Sequence, residues 1–322
     1  MLLDTLRRPV QGDLDRYAVV FRSALQSDNH LLSAALTHLT RKLGKVLRPT
    51  LVLLCAREGG NVSDAALHAA AALEMLHTAS LVHDDVIDES DMRRGQRSVN
   101  ALFDNKTAVL VGDFVTSKAL TEMALTGSLE AIDRTAWLGQ QLADGELLQL
   151  AATQRTTFEE APYYEIIAKK TAALFATCAR LGALLGGADA ERVGVLERFG
   201  HLVGLCFQIR DDLFDFDESL DVGKPKGNDM AEGKLTLPVL YALRDGDERS
   251  RQLALKVRTL EASRSEIHEL IDFTIRQGGL RYAEAEMHRI QDEALALLPT
   301  LHDADVTSSL ALYLDFALQR TQ

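Results

Sequence analysis

Two copies of one acidic pattern could do chemistry here: Asp84, Asp85 and Asp88, then Asp211, Asp212 and Asp215, each reading DDxxD. On a helix, residues four apart lie one above the other, so Asp84 and Asp88 would share a face while Asp85 points about 100° away. Carboxylates this close repel each other, and at a helix C-terminus they also meet the negative pole of the backbone dipole. A cation resolves both. Hard oxygen ligands suit Mg²⁺, which takes one or two carboxylates and completes its shell with water and phosphate oxygens. Arg93 and Arg94 follow the first motif, and guanidinium groups match phosphate geometry. The combination points to a metal-bound, phosphate-bearing ligand. One acidic cluster at a helix end is as readily a solvated surface, but a second copy after another apolar stretch argues against that.

The elements that must position these groups read as helices. Ala and Leu dominate, apolar residues recur at three- and four-residue spacing, and Gly pairs and six prolines punctuate the chain into roughly ten helices. No period-two strand pattern stands out. The expected fold is all-α, a single large helical bundle around a central deep pocket, with residues 1–322 as one domain, because no low-complexity or Ser/Pro-rich linker interrupts them. A net charge of −12 excludes a broad basic face for nucleic acid, so any phosphate site is a local basic pocket. Cys55, Cys178 and Cys206 lack metal-ligand spacing and read as buried thiols. The N-terminus lacks a signal-like apolar core and no apolar run approaches a membrane span, so a cytoplasmic protein is expected.

Ahead of the first motif, Lys45 and Arg48 in GKVLRP are three apart and would share a face of one helical turn, a diphosphate clamp. His77 lies two turns before Asp84 on the face that carries both Asp84 and Asp88. A lone histidine in an apolar helix is as readily a hydrogen-bonded core residue.

Taken in order, GKVLRP, EMLHTASLVHDDVIDESDMRRG, KKTAALF, GLCFQIRDDLFD and GKPKGNDMAEGKLTLP resemble the motifs of the trans-type polyprenyl diphosphate synthases, medium- and long-chain members in particular. The resemblance implies the isoprenoid synthase fold, usually a homodimer, and elongation of an allylic diphosphate (farnesyl or geranylgeranyl) by isopentenyl diphosphate. It implies that Asp84, Asp88 and Asp211 ligate three Mg²⁺ ions, with Asp85, Asp212 and Asp215 in the same motifs. Arg93, Lys170, Thr171, Gln208, Lys224 and Lys234 match positions that contact the allylic diphosphate or its metals. Lys45, Arg48, His77 and Arg94 match the isopentenyl diphosphate site. Many members carry Arg where this chain has Val46, so that site has lost one neighbouring charge.

A chain growing back from the aspartates would pass Ala79 and Ser80. Both are small where short-chain relatives often carry aromatics, so the product implied is medium or long, about C30 to C50, if the channel follows the helix. The wheel sets Ser80 about 40° from Asp84 but Ala79 on the flank, so Ala79's part rests on the resemblance. The segment WLGQQLADGELLQL, residues 137–150, resembles the helix whose Gln149 end lies near the metals, and Trp137 or Leu138 three turns earlier is the expected floor. The alternatives are a short-chain synthase or a modulating subunit of a heteromeric one. A terpene cyclase is disfavoured by the second DDxxD and by Lys45 and Arg48.

Overall fold

The computed structural model describes residues 2–41, 44–216 and 227–319. These residues form 17 α-helical segments, a few short 3₁₀ turns, one π-helical turn and one two-stranded hairpin. The excess over ten helices lies partly in segments of one or two turns, such as Val99–Leu102 and Asn228–Ala231, that no apolar period announces. The chain divides into two compact units: residues 1–139, 174–200 and 297–313 in the first, and 140–173, 201–296 and 314–322 in the second.

The first unit is built on the helix Asp64–Ile87. Ser63 caps its N-terminus by accepting from the Ala66 N–H, and Asp64 adds an acidic first turn. Residues 69–75 are buried without a break, so this helix is apolar all round and sits inside its unit. It is the one helix among the described residues that is long and apolar enough to cross a membrane, which the sequence reading passed over. Two thirds of its apolar window is buried within the protein, as expected of a core helix. It ends at Asp88, whose N–H reaches the Asp84 carbonyl at 2.8 Å, and Glu89 follows at φ 51.

The helix Leu47–Gly59 packs beside it and starts later than the sequence suggested. Val46 sits at φ 46, left-handed backbone that a β-branched residue seldom adopts, so Lys45 lies outside the helix and shares no turn with Arg48. Against the same helix lies Ala173–Gly186, through Gly182 and Gly186. A Cβ on Gly182 would overlap the Val52 carbonyl oxygen, and one on Gly186 would overlap that of Ala56. Backbone obstacles cannot rotate away. Gly182→Ala is therefore expected to destabilise the protein by about 1–3 kcal/mol, checked by urea denaturation; an unchanged midpoint would show that the helices part without cost.

After the first motif the chain makes the hairpin Met92–Arg93 with Gln96–Arg97. Its two-residue turn, Arg94 and Gly95, has φ 52 and 68, the doubly positive backbone of a type I′ turn. Arginine in that conformation is unusual, and it aims the guanidinium.

In the second unit, the core packs Phe216, Met230, Val239, Leu253, Leu270 and Phe273. Between the helix Glu160–Ile167 and Ala173, the chain widens into a π-helical turn, Ala168–Ala172. Such turns recur at functional sites because they re-aim side chains in mid-helix. Two glycines let neighbouring helices close on this turn. A Cβ on Gly145 would stand 2.8 Å from Lys170 Cγ, and one on Gly204 would stand 2.5 Å from Ala172 Cα.

Candidate active site

Within the first unit, the helix Asp64–Ile87 carries two kinds of group at different levels. At its end, Asp84 is half-buried and Asp88 exposed, one turn apart as the spacing requires. Asp85 points elsewhere. Its carboxylate is buried and takes Arg93, whose Nε donates to Oδ1 at 2.8 Å and whose Nη2 reaches the same oxygen. One arginine of the hairpin is thus tied to the motif's middle carboxylate.

Two turns below, His77 is buried, and Glu74 lies one turn deeper, also buried. Burial, and then the cations Arg48, Arg94 and Arg93, hold the His77 imidazole well below the usual histidine range, so the ring is neutral at pH 7. Burial pushes the Glu74 carboxyl up, against the pull of Arg48 and Arg94. Its Oε2 has no hydrogen-bond partner among the described residues. Arg94 reaches over Gly44, where a Cβ would stand 2.9 Å from Cζ, and the Arg48 guanidinium lies 4.9 Å from the Phe175 ring centroid. Arg7 donates to the Lys45 carbonyl and braces the loop between them. The structure therefore brings Gly44, Arg48, His77 and Arg94 into one basic cluster.

The neutral His77 has a measurable consequence. The unfolded chain binds a proton there below its ordinary pKa and the folded chain does not, so stability is lost as pH falls through about 6.5. Between pH 6.5 and 5.5 the unfolding free energy of the wild type should fall by about 1 kcal/mol relative to His77→Gln. A pH-independent difference, read by urea denaturation, would mean that the folded ring carries its proton.

The second unit holds a cavity of ≈ 220 Å³ lined by Gln149, Lys170, Thr171, Gln208, Asp212 and Lys234, among others. Lys170 Nζ donates to Gln149 Oε1 at 3.0 Å and pairs with Glu146. Lys234 Nζ donates to Glu232 at 2.6 Å. The Thr171 hydroxyl donates to Gln208 Oε1 at 2.7 Å, and Gln208 Nε2 donates to Asp212 Oδ1 at 2.9 Å. Asp212 is buried, and burial pushes its carboxyl up to about 7 against the bonds from Tyr163 and Gln208. Asp215 accepts from the N–H groups of Asn228 and Asp229 at 2.9 and 3.2 Å, which ties the motif to the turn that leads to Lys234. Lys224 lies outside the described residues.

Several contributors were not singled out from the sequence: Glu74, Glu146, Tyr163 and Asp229. None belongs to a repeated pattern, and only a charged neighbour brought close by the fold marks them. Trp137 is half-buried under the Arg134 guanidinium, 3.8 Å from its ring centroid, and Arg134 pairs with Glu197 at 2.5 Å. Leu138 and Ala79 are fully buried, whereas Ser80 is half-buried and donates to the His77 carbonyl at 2.9 Å.

The donor set fits Mg²⁺. The oxygens of Asp84, Asp88, Asp211 and Asp215 are hard ligands, and among the described residues no three acidic, His or Cys side chains converge into a cage. Magnesium is usually held by one or two carboxylates and completed by water and ligand phosphate rather than by an all-protein cage.

Carboxylates at a helix end near a cluster of guanidinium groups in one unit, and a lysine-lined cavity with a second acidic motif in the other, fit metal-diphosphate chemistry in an all-α protein. The comparisons give the family. The model of the polyprenyl synthetase family matches residues 29–274. The octaprenyl diphosphate synthase of Escherichia coli is 32% identical over 321 residues, 99% of each chain. Among solved structures, the geranylgeranyl pyrophosphate synthase of Bacteroides thetaiotaomicron is 41% identical with a TM-score of 0.88 over 99% of each chain. A polyprenyl synthase of Caulobacter crescentus complexed with calcium and isoprenyl diphosphate is 32% identical, with a TM-score of 0.92 over 99% of this chain and 98% of that one. The chain belongs to the polyprenyl synthetase family and is a prenyltransferase.

Proposed function

We propose that this prenyltransferase, working as one domain, adds isopentenyl diphosphate head-to-tail to an allylic diphosphate, giving an all-trans polyprenyl diphosphate of medium or long chain. What carries the reading is the helix Asp64–Ile87, with Asp84 and Asp88 at its end and His77 among Arg48 and Arg94 two turns below. Arg48, His77 and Arg94 would hold the isopentenyl diphosphate with Lys45, the neutral imidazole donating an N–H. Arg93, Lys170 and Lys234 would hold the allylic diphosphate, with Lys224 from outside the described residues and with Thr171 and Gln208 beside them.

When bound, Mg²⁺ neutralises charge that develops on the leaving diphosphate. As the allylic C–O bond breaks, the electron pair leaves with that diphosphate, and the lysine and arginine side chains stabilise the charge where it forms. The isopentenyl double bond attacks the allylic carbon. Loss of a proton to the departed diphosphate restores a double bond. The calcium and isoprenyl diphosphate bound by the Caulobacter relative support a divalent ion and a prenyl diphosphate here. A homodimer is supported by an exposed apolar run on the helix Asn105–Leu125, where Leu110, Leu120 and Leu125 are all more than half exposed.

The purified chain, given farnesyl diphosphate and labelled isopentenyl diphosphate, should form extractable product with Mg²⁺ and none with a chelator. Product only after a second protein is added would make the chain one subunit of a heteromeric synthase.

For length, Ser80, which is half-buried, is the residue placed to meet a growing chain, whereas Ala79 is fully buried. Ser80→Phe should shorten the product. Trp137→Ala or Leu138→Ala should lengthen it, because Arg134 and Glu197 fix that level of the helix Leu129–Ala152. Unchanged length in both would place the floor elsewhere.

A further inference from the structure

Glu146 is not among the residues matched to substrate or metal, yet it closes a ring of three side chains around Lys170. Lys170 Nζ donates to Gln149 Oε1 at 3.0 Å and pairs with Glu146 Oε2, while Gln149 Nε2 donates to Glu146 Oε1 at 3.4 Å. Glu146 and Gln149 stand one turn apart on the helix Leu129–Ala152, which Gly145 lets come close to the π-helical turn carrying Lys170. The neighbouring Lys169 is held separately, by Asp144 and by Glu165, which accepts from its Nζ at 3.0 Å.

The order of the ring is set by chemistry. An ammonium has three donors and no acceptor, and a carboxylate only accepts. The amide of Gln149 therefore completes the ring in one orientation, its carbonyl to Lys170 and its NH₂ to Glu146. Two of the three Nζ protons are directed to the helix, and the third keeps the remaining tetrahedral direction. Lys170 lines the cavity of ≈ 220 Å³.

We propose that Glu146 is a positioning residue for the allylic substrate: with Gln149 it holds Lys170 Nζ in place before the diphosphate arrives, leaving one N–H for a phosphate oxygen. The inference rests on the function proposed above. A loose lysine side chain has many rotamers, which a diphosphate would have to freeze on binding. Folding freezes them in advance here, which is worth about tenfold in affinity. Two other parts for Glu146 lead to different results. A charge that merely opposes the diphosphate weakens binding, and a packing residue does nothing that an apolar side chain of the same size does not.

Glu146→Leu keeps the bulk and removes both acceptors, whereas Glu146→Gln removes the charge and keeps an acceptor for the ammonium. Calorimetric titration with farnesyl diphosphate and Mg²⁺, without isopentenyl diphosphate so that no chain grows, should give a Kd raised about tenfold in Glu146→Leu and within about threefold of wild type in Glu146→Gln. In a Lys170→Met background Glu146→Leu should no longer weaken binding, because no ammonium is left to place. The protein free of ligand and metal supplies a second readout. NMR relaxation of the Lys170 ε-methylene, assigned through Lys170→Met, should show a rigid side chain in the wild type and in Glu146→Gln and a mobile one in Glu146→Leu. Tighter binding in both variants, unchanged binding in Glu146→Leu, a tenfold loss that persists without Lys170, or a Lys170 side chain equally mobile in wild type and Glu146→Leu would overturn the assignment. A rigid Lys170 in a wild-type protein that binds no farnesyl diphosphate would instead overturn the function on which it rests.

Discussion

Asp84→Asn should lower kcat/KM by on the order of 10³ while leaving the fold intact, a loss of about 4 kcal/mol in transition-state stabilisation. The substitution keeps the side chain's size and removes one charge. Asp84 stands one turn from Asp88 at the C-terminal end of the helix Asp64–Ile87, and Arg93 pairs with Asp85 between them. The carboxylates lie near the negative pole of the helix dipole, which the amide also occupies without charge. The variant should therefore stay folded while it loses activity. Titration calorimetry of Mg²⁺ with a non-hydrolysable allylic diphosphate analogue separates the two effects. Weakened metal binding in a folded variant is the expected result. Unchanged binding with lost activity would remove Asp84 from the metal's ligands.

Arg94→Ala should raise the KM for isopentenyl diphosphate about 10- to 100-fold, with a much smaller change in the KM for the allylic primer. Arg94 occupies the left-handed turn of the hairpin, next to Gly95, and this aims its guanidinium across Gly44 toward the level of Arg48 and His77. Burial lowers its pKa, and Glu74 partly offsets that. A guanidinium held in a cluster of like charge gains most when a diphosphate arrives. Gly44→Ala gives an independent check, because its Cβ would fill the space that Arg94 Cζ now needs. It should reproduce much of the same defect without removing any charge. If Arg94→Ala altered both substrates' KM values alike, the cluster would be structural.

The acidic motifs, the helical architecture and the order of the basic segments were legible in the sequence, because each is written in residue spacing. Asp84 and Asp88 share a face for the reason the helical repeat gives, and Cys55, Cys178 and Cys206 are buried and free. Spacing misled at Lys45 and Arg48. The three-residue interval suggested one turn, but the positive φ at Val46 delays the helix start to Leu47. The backbone that aims Arg94 was likewise illegible, since Arg-Gly is a weak hairpin signal and the strands are two residues each. The π-helical turn at Lys170 and Thr171 depends on how closely Gly145 and Gly204 let other helices approach, which no local pattern encodes. Tyr163 was missed for the same reason. Its partner is 49 positions away, and a tyrosine in an apolar helix reads as core until its hydroxyl is seen to face a carboxylate.

The central claim is elongation of an allylic diphosphate into a medium or long trans-polyprenyl chain, and product length tests it most directly. Purified protein would be incubated with farnesyl diphosphate, labelled isopentenyl diphosphate and Mg²⁺, and the dephosphorylated products read by mass spectrometry. A narrow distribution of all-trans products with six to ten isoprene units, absent in the presence of a chelator, is the expected result. Geranylgeranyl diphosphate as the sole product would contradict the length argument built on Ser80, and no elongation at all would contradict the function itself.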